Sequence, residues 1–147
     1  SSLLEFEFVK SFLRDDFPVR LLQHAAHDLM KTADVALVTS GTATLETAFF
    51  RTPMVIVYKT SMLTYLVGRL VVRIDSIGLA NIVAGKKVVP ELIQGAATPQ
   101  RLAEEAMKML SDAELRKTIS RELGAVRERL GTVGASQRVA QSLLPLS

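Results

Sequence analysis

The chain has 147 residues, of which 48% are apolar and 5% aromatic, and it carries a formal net charge of +3. That length supports one domain with its own core, and the aliphatic bias suits an α/β interior better than a β-sandwich. The absence of cysteine excludes a disulfide framework and Cys-ligated zinc, and no apolar run reaches the length of a membrane span.

Charge is unevenly placed. Between Arg51 and Lys87 stand Arg51, Lys59, Arg69, Arg73, Lys86 and Lys87 against a single acid, Asp75. Such a basic middle suits an anionic ligand or an anionic membrane surface. It has no interleaved aromatics and no nucleic-acid motif, so no nucleic-acid partner is expected.

In chain order, Leu4, Phe6 and Phe8 alternate with Glu5 and Glu7, which predicts a half-buried strand. Arg20 to Lys31 predicts a helix with Leu21, Leu22, Ala25, Ala26, Leu29 and Met30 on its apolar face. Val35 to Val38 predicts a strand that ends in the turn Ser40-Gly41-Thr42 and feeds a helix over Ala43 to Phe50. Arg51-Thr52-Pro53 stops that helix, and Met54 to Tyr58 predicts a strand buried on both faces. Strand, helix and strand at this spacing form a βαβ unit, so the sheet is expected to be parallel.

Met62 to Ile74 predicts a second helix, whose apolar face is either buried in the core or partly exposed, in the latter case with Arg69 and Arg73 toward anionic headgroups. Ile77 to Val89 reads as irregular, and Pro90 to Gln94 as a short helical turn with proline at its first position. Thr98 caps a helix opened by Pro99, with Leu102, Ala106 and Met109 facing inward. A further helix runs from Ser111-Asp112 to about Leu130, and a last one covers Ala135 to Leu144. Residues 1–147 are read as one domain, with parallel strands early and helices late.

The turn after the first strand carries the chemistry. First-turn N–H groups lack intrahelical partners and the helix dipole is positive there, so the Ser40-Gly41-Thr42-Ala43 segment suits a phosphate. A simpler reading is open: Ser40 or Thr42 caps the helix, and Glu46 is a first-turn acid stabilised by the dipole. Asn81 reads equally as a hydrogen-bonding ligand group and as a turn residue tolerating positive φ. Glu91 and Gln94 lie three apart and contact either a ligand or each other. Lys86 and Lys87 read as a solvated pair, and Arg69 and Arg73 share one helix face. His24 and His27 lack nearby acids in sequence, so no metal site is expected.

Five segments in order carry a resemblance: Ala33 to Glu46, with its S-G-T-A-T-L-E core; Thr52 to Val55 with Tyr58; Leu79 to Gly85; Val88 to Gln94; and Gly134 to Ala140. Together they are similar to the lipid-A-disaccharide synthases, inverting glycosyltransferases of outer-membrane lipid assembly. The match runs from about Asp28 to the C-terminus and covers the final third to two-fifths of such an enzyme. Residues Ser1 to Phe17 match nothing, the family's L-P-G-S-R loop is not visible, and Ala80 stands where the family usually shows proline.

The resemblance implies an α/β, Rossmann-like parallel sheet with flanking helices and a helical C-terminus. This is the nucleotide-sugar-binding, C-terminal half of a GT-B glycosyltransferase, with the N-terminal acceptor domain absent. It implies transfer of diacylglucosamine from its UDP donor to diacylglucosamine 1-phosphate, with no cofactor and no metal. No catalytic residue is expected in this chain, because the general base belongs to the acceptor domain. Substrate contacts are implied for Ser40, Gly41, Thr42, Ala43, Glu46, Asn81, Glu91 and Gln94. The family setting implies a cytoplasmic protein, peripheral on the inner face of the cytoplasmic membrane, and a homodimer formed by exchange of C-terminal helices. Two other readings stand beside it: a UDP-sugar 2-epimerase-like enzyme on the same plan, and a non-catalytic nucleotide-binding or assembly module.

Overall fold

The computed structural model describes residues 3–13, 18–60 and 76–131. The helices expected over Met62–Ile74 and Ala135–Leu144 lie outside them. The elements are α1 (Leu3–Lys10), α2 (Ala26–Thr32), β1 (Ala36–Thr39), α3 (Thr42–Phe49), β2 (Met54–Tyr58), α4 (Leu79–Ala84), β3 (Glu91–Ile93), α5 (Pro99–Ser111) and α6 (Ala113–Leu130). A 3-10 turn over Gln94–Ala96 follows β3.

The three strands form a parallel sheet in the order β1-β2-β3, with Val38 opposite Ile56 and Ile56 opposite Glu91. This is the expected βαβ sheet flanked by helices, with a helical C-terminal part. Met54, Val55 and Ile56 in the central strand are all essentially inaccessible. Successive side chains point to opposite faces, so both faces of β2 are covered, as parallel sheets require. One helix that builds the core is α6, which buries Ile119, Leu123 and Val126 at helical spacing and packs on α3 and α4. The other is α5, which reaches β1 and β2 and buries Met109.

Local signals place several elements as the sequence predicts. The Thr98 side chain accepts from Arg101 N at 3.3 Å ahead of Pro99, and Asp112 accepts from Leu115 N at 2.9 Å. Both are N-caps that satisfy orphan donors.

Four expectations are corrected. The N-terminal segment is helical, because its aromatics also fall at i,i+4: Phe8 and Phe12 meet edge to face at 5.0 Å. The helix expected from Arg20 starts only at Ala26, since His24 adopts φ 55 and breaks the helical path.

The stretch read as irregular contains α4, entered at Gly78 and closed by Gly85 in the left-handed region. The helical turn expected at Pro90–Gln94 is instead the edge strand β3. Only the carbonyl of Pro90 is used, accepting from Ile56 N at 2.9 Å, so its missing N–H costs nothing there.

Candidate functional site

All three strands deliver chain to the same, C-terminal edge of the sheet: Ser40-Gly41 after β1, Lys59-Thr60 after β2, Gln94-Gly95 after β3. Open parallel sheets bind ligands at this edge. Ser40 extends the ladder, donating its N–H to Val57 O at 2.8 Å. Its hydroxyl reaches Ile77 O at 3.3 Å. Gly41 follows with φ 145 and ψ −162, a conformation essentially confined to glycine. A side chain there would meet nothing within 4 Å among the described residues, which leave the space in front of the turn open.

The capping reading fails here. The N-cap of α3 is Gly41 itself, no side chain caps the helix, and its first turn contains no acid. Thr44 N turns back to Gly41 O at 3.1 Å, which leaves the N–H groups of Thr42 and Ala43 without intrahelical partners. Thr42 is exposed and Ala43 half-buried. Below them, the buried hydroxyls of Thr44 and Thr47 donate to Gly41 O and Ala43 O at 2.7 and 2.8 Å, binding the turn to its helix.

Glu46 is the fifth residue of α3, on its exposed side, and its Oε2 lies 3.2 Å from Nε2 of His27 on α2. The expectation that His27 has no acid near it is therefore corrected. Among the described residues no group of three or more His, Asp or Glu gathers.

Asn81 and Glu91 come together in a single knot. The Asn81 amide donates to Val89 O (2.9 Å) and Glu91 Oε1 (2.7 Å), and its oxygen accepts from Val88 N (2.8 Å) and Val89 N (3.0 Å). Those four bonds exhaust the amide, and the residue is buried. Glu91 also accepts from Ile77 N at 2.8 Å and Gly78 N at 3.1 Å, taking the entry of α4 into its carboxylate. Gly78 packs close to β2: a Cβ there would sit 2.3 Å from Ile56 Cδ1, and the Ile56 side chain would have to shift.

Gln94 does not join Glu91. From φ 50 it grips Thr60, accepting from its N–H at 2.9 Å and donating to its carbonyl at 3.0 Å. Sequence reasoning missed Thr60, Ile77 and His27 as neighbours of the turn, because their partners lie 34, 37 and 19 residues away. The basic middle is likewise not one patch. Lys59 is at the C-terminal edge, Arg51 at the opposite edge, and Lys86 pairs with Glu122 at 2.5 Å.

A family model described as lipid-A-disaccharide synthetase matches residues 4–142. The chain belongs to that family. The match begins well before Asp28 and takes in most of the N-terminal segment that matches nothing by motif. Among curated relatives, the lipid-A-disaccharide synthase of Syntrophus aciditrophicus is 52% identical over 87% of this chain and 33% of its own length. That of Geobacter sulfurreducens is 42% identical over 99% of this chain and 38% of its own. That of Nitrosococcus oceani is 41% identical over 84% of this chain and 32% of its own. The chain thus spans about a third of the length of the curated relatives it matches. Among the described residues, no helix is long and apolar enough to cross a membrane.

Proposed function

We propose that this chain is the donor-binding part of a hexosyltransferase. It would transfer diacylglucosamine from UDP to diacylglucosamine 1-phosphate in lipid A biosynthesis. The observation that carries this reading is the uncapped N-terminus of α3, opening through Gly41 into free space at the C-terminal edge of a parallel sheet. A departing nucleoside diphosphate needs fixed positive charge and donors. The N–H groups of Thr42 and Ala43 and the hydroxyl of Thr42 supply them without a metal.

Ser40 sets the level of the turn through Val57 and Ile77. Glu46, oriented by His27, accepts from the ribose hydroxyls. Asn81, Glu91 and Gln94 act as positioning residues that hold the backbone around the donor. Removal of the acceptor proton is assigned to a base outside this chain. Both substrates carry acyl chains, so the reading places the enzyme peripherally on the inner face of the cytoplasmic membrane. It includes a homodimer built by exchange of C-terminal helices.

Calorimetric titration of the full-length protein with UDP tests the site. Gly41→Val is expected to weaken binding at least tenfold, and Glu46→Ala by about 1–3 kcal/mol, the range for a hydrogen bond to a charged group. Unchanged affinity in Gly41→Val overturns the assignment.

A further inference from the structure

The edge of the sheet remote from Gly41 carries a chemically different feature. Where β1 and β2 begin, Ala33, Asp34 and Pro53 border an open groove of about 800 Å3 whose far wall is α6. Five cations line it, Lys31, Arg51, Arg116, Lys117 and Arg121, against the acids Asp34 and Glu128. Two of the five are engaged elsewhere. Arg116 donates to Met109 O and Leu110 O at 2.7 and 2.5 Å, closing the end of α5. Lys117 pairs with Glu114 at 2.7 Å. The ion pairs among the described residues include none of Lys31, Arg51 and Arg121.

Arg51 is held in place at two local costs. Its backbone adopts φ 60, which a residue with a Cβ disfavours. Its guanidinium lies over Gly124, a buried glycine inside an 18-residue helix, where alanine would favour the helix more. A Cβ at position 124 would come to 3.3 Å from Arg51 Nε and 3.4 Å from Cζ. The left-handed turn that closes α3, with Arg51 N donating to Ala48 O, and the notch at Gly124 together leave one exposed guanidinium at the mouth of the groove.

We propose that this groove is a second anion site, taking a phosphate-bearing group, with Arg51 as its anchor and Lys31 and Arg121 flanking. A planar guanidinium offers paired donors to phosphate oxygens, which a lysine cannot. The five residues of β2 separate this groove from the Gly41 turn by roughly 17 Å at about 3.3 Å per residue. The group is carried either by a soluble molecule or by a lipid headgroup. Neither source depends on the donor site assigned above.

The test titrates inorganic pyrophosphate into the full-length Gly41→Val protein, which silences the α3 turn. If that variant fails to fold, wild type saturated with UDP replaces it. Binding is expected to persist, and to fall at least tenfold when Arg51→Gln and Arg121→Gln are added, with circular dichroism unchanged. Gly124→Ala should weaken pyrophosphate severalfold without lowering the melting temperature, because it displaces only the guanidinium. Unchanged affinity there overturns Arg51 as the anchor. In parallel, the protein is sedimented with phosphatidylcholine vesicles with and without phosphatidic acid. Phosphatidic acid-dependent sedimentation that Arg51→Gln plus Arg121→Gln abolishes assigns the lipid source. Pyrophosphate binding without it assigns a soluble one. If the two substitutions change neither measurement, the site is overturned.

Discussion

Two helices begin beside Ser40, and the chain leading into each is held differently. The entry of α4 is filled by the protein's own carboxylate, with Glu91 accepting from Ile77 N and Gly78 N. The entry of α3 has no side-chain cap among the described residues, which also leave the space across Gly41 open. An unpaired helix start favours negative charge wherever that charge comes from. At α4 it comes from within, and the result is stability. At α3 no such group is supplied among the described residues, and that is the turn where the donor site is proposed.

The comparison breaks most severely at Asn81. Asn81→Leu removes an amide from four hydrogen bonds and strands the buried polar groups of Val88 and Val89. The expected loss is about 3–5 kcal/mol of folding stability in a denaturant titration, several unsatisfied groups at about 1–3 kcal/mol each, reduced by partial relaxation. Glu91→Gln keeps the shape but weakens the filling of α4, and should cost about 1–3 kcal/mol. Glu46→Gln on α3 is the counterpart measurement. That carboxylate is exposed and among the described residues pairs with His27 alone, so stability should move by less than about 0.5 kcal/mol. Equal losses at Glu91 and Glu46 would erase the distinction between the two helices.

Gly41→Ala is expected to destabilise by about 1–2 kcal/mol through backbone strain alone, since nothing stands where its methyl group would go. The smallest effect concerns Glu122, whose pKa is lowered from the ordinary carboxylate value by a hydrogen bond from Lys86 and by that ammonium's charge. A carboxylate with a lowered folded pKa stabilises the fold above the ordinary carboxylate range. It loses that contribution as pH falls through the lowered value. Glu122→Gln should therefore slightly lower stability from neutrality upward and flatten the acid limb of the pH-stability curve, where the wild-type contribution is lost anyway.

The legible parts of this chain are those whose causes lie close together in sequence. Met54 to Tyr58 is an unbroken apolar strand, and Thr98-Pro99 and Asp112 are local caps, so each falls where the pattern predicts. The Ser-Gly-Thr turn was legible for the same reason. What the pattern could not show is which reading of that turn holds, because an absent cap is visible only in three dimensions. Six-residue α4 and three-residue β3 are too short for periodicity and exist because Asn81 and Glu91 bind them to each other. The pairing of His27 with Glu46 and the grip of Gln94 on Thr60 join residues 19 and 34 apart, beyond any spacing rule. The N-terminal segment misleads because its sequence satisfies two periods at once, with Phe8 and Phe12 also meeting at i,i+4.

The Asn81–Glu91 knot has a kinetic corollary. The amide protons of Ile77, Gly78, Val88 and Val89 all terminate on two side chains that also bond each other. None can be released to solvent without loosening the rest, so residues 77 to 91 should open as one cooperative unit. In native-state hydrogen exchange those four amides would share a single opening free energy. The amides of Thr42 and Ala43, barely a few ångströms from Ile77's strand-side neighbour Ser40, would exchange quickly until an anion arrives to slow them.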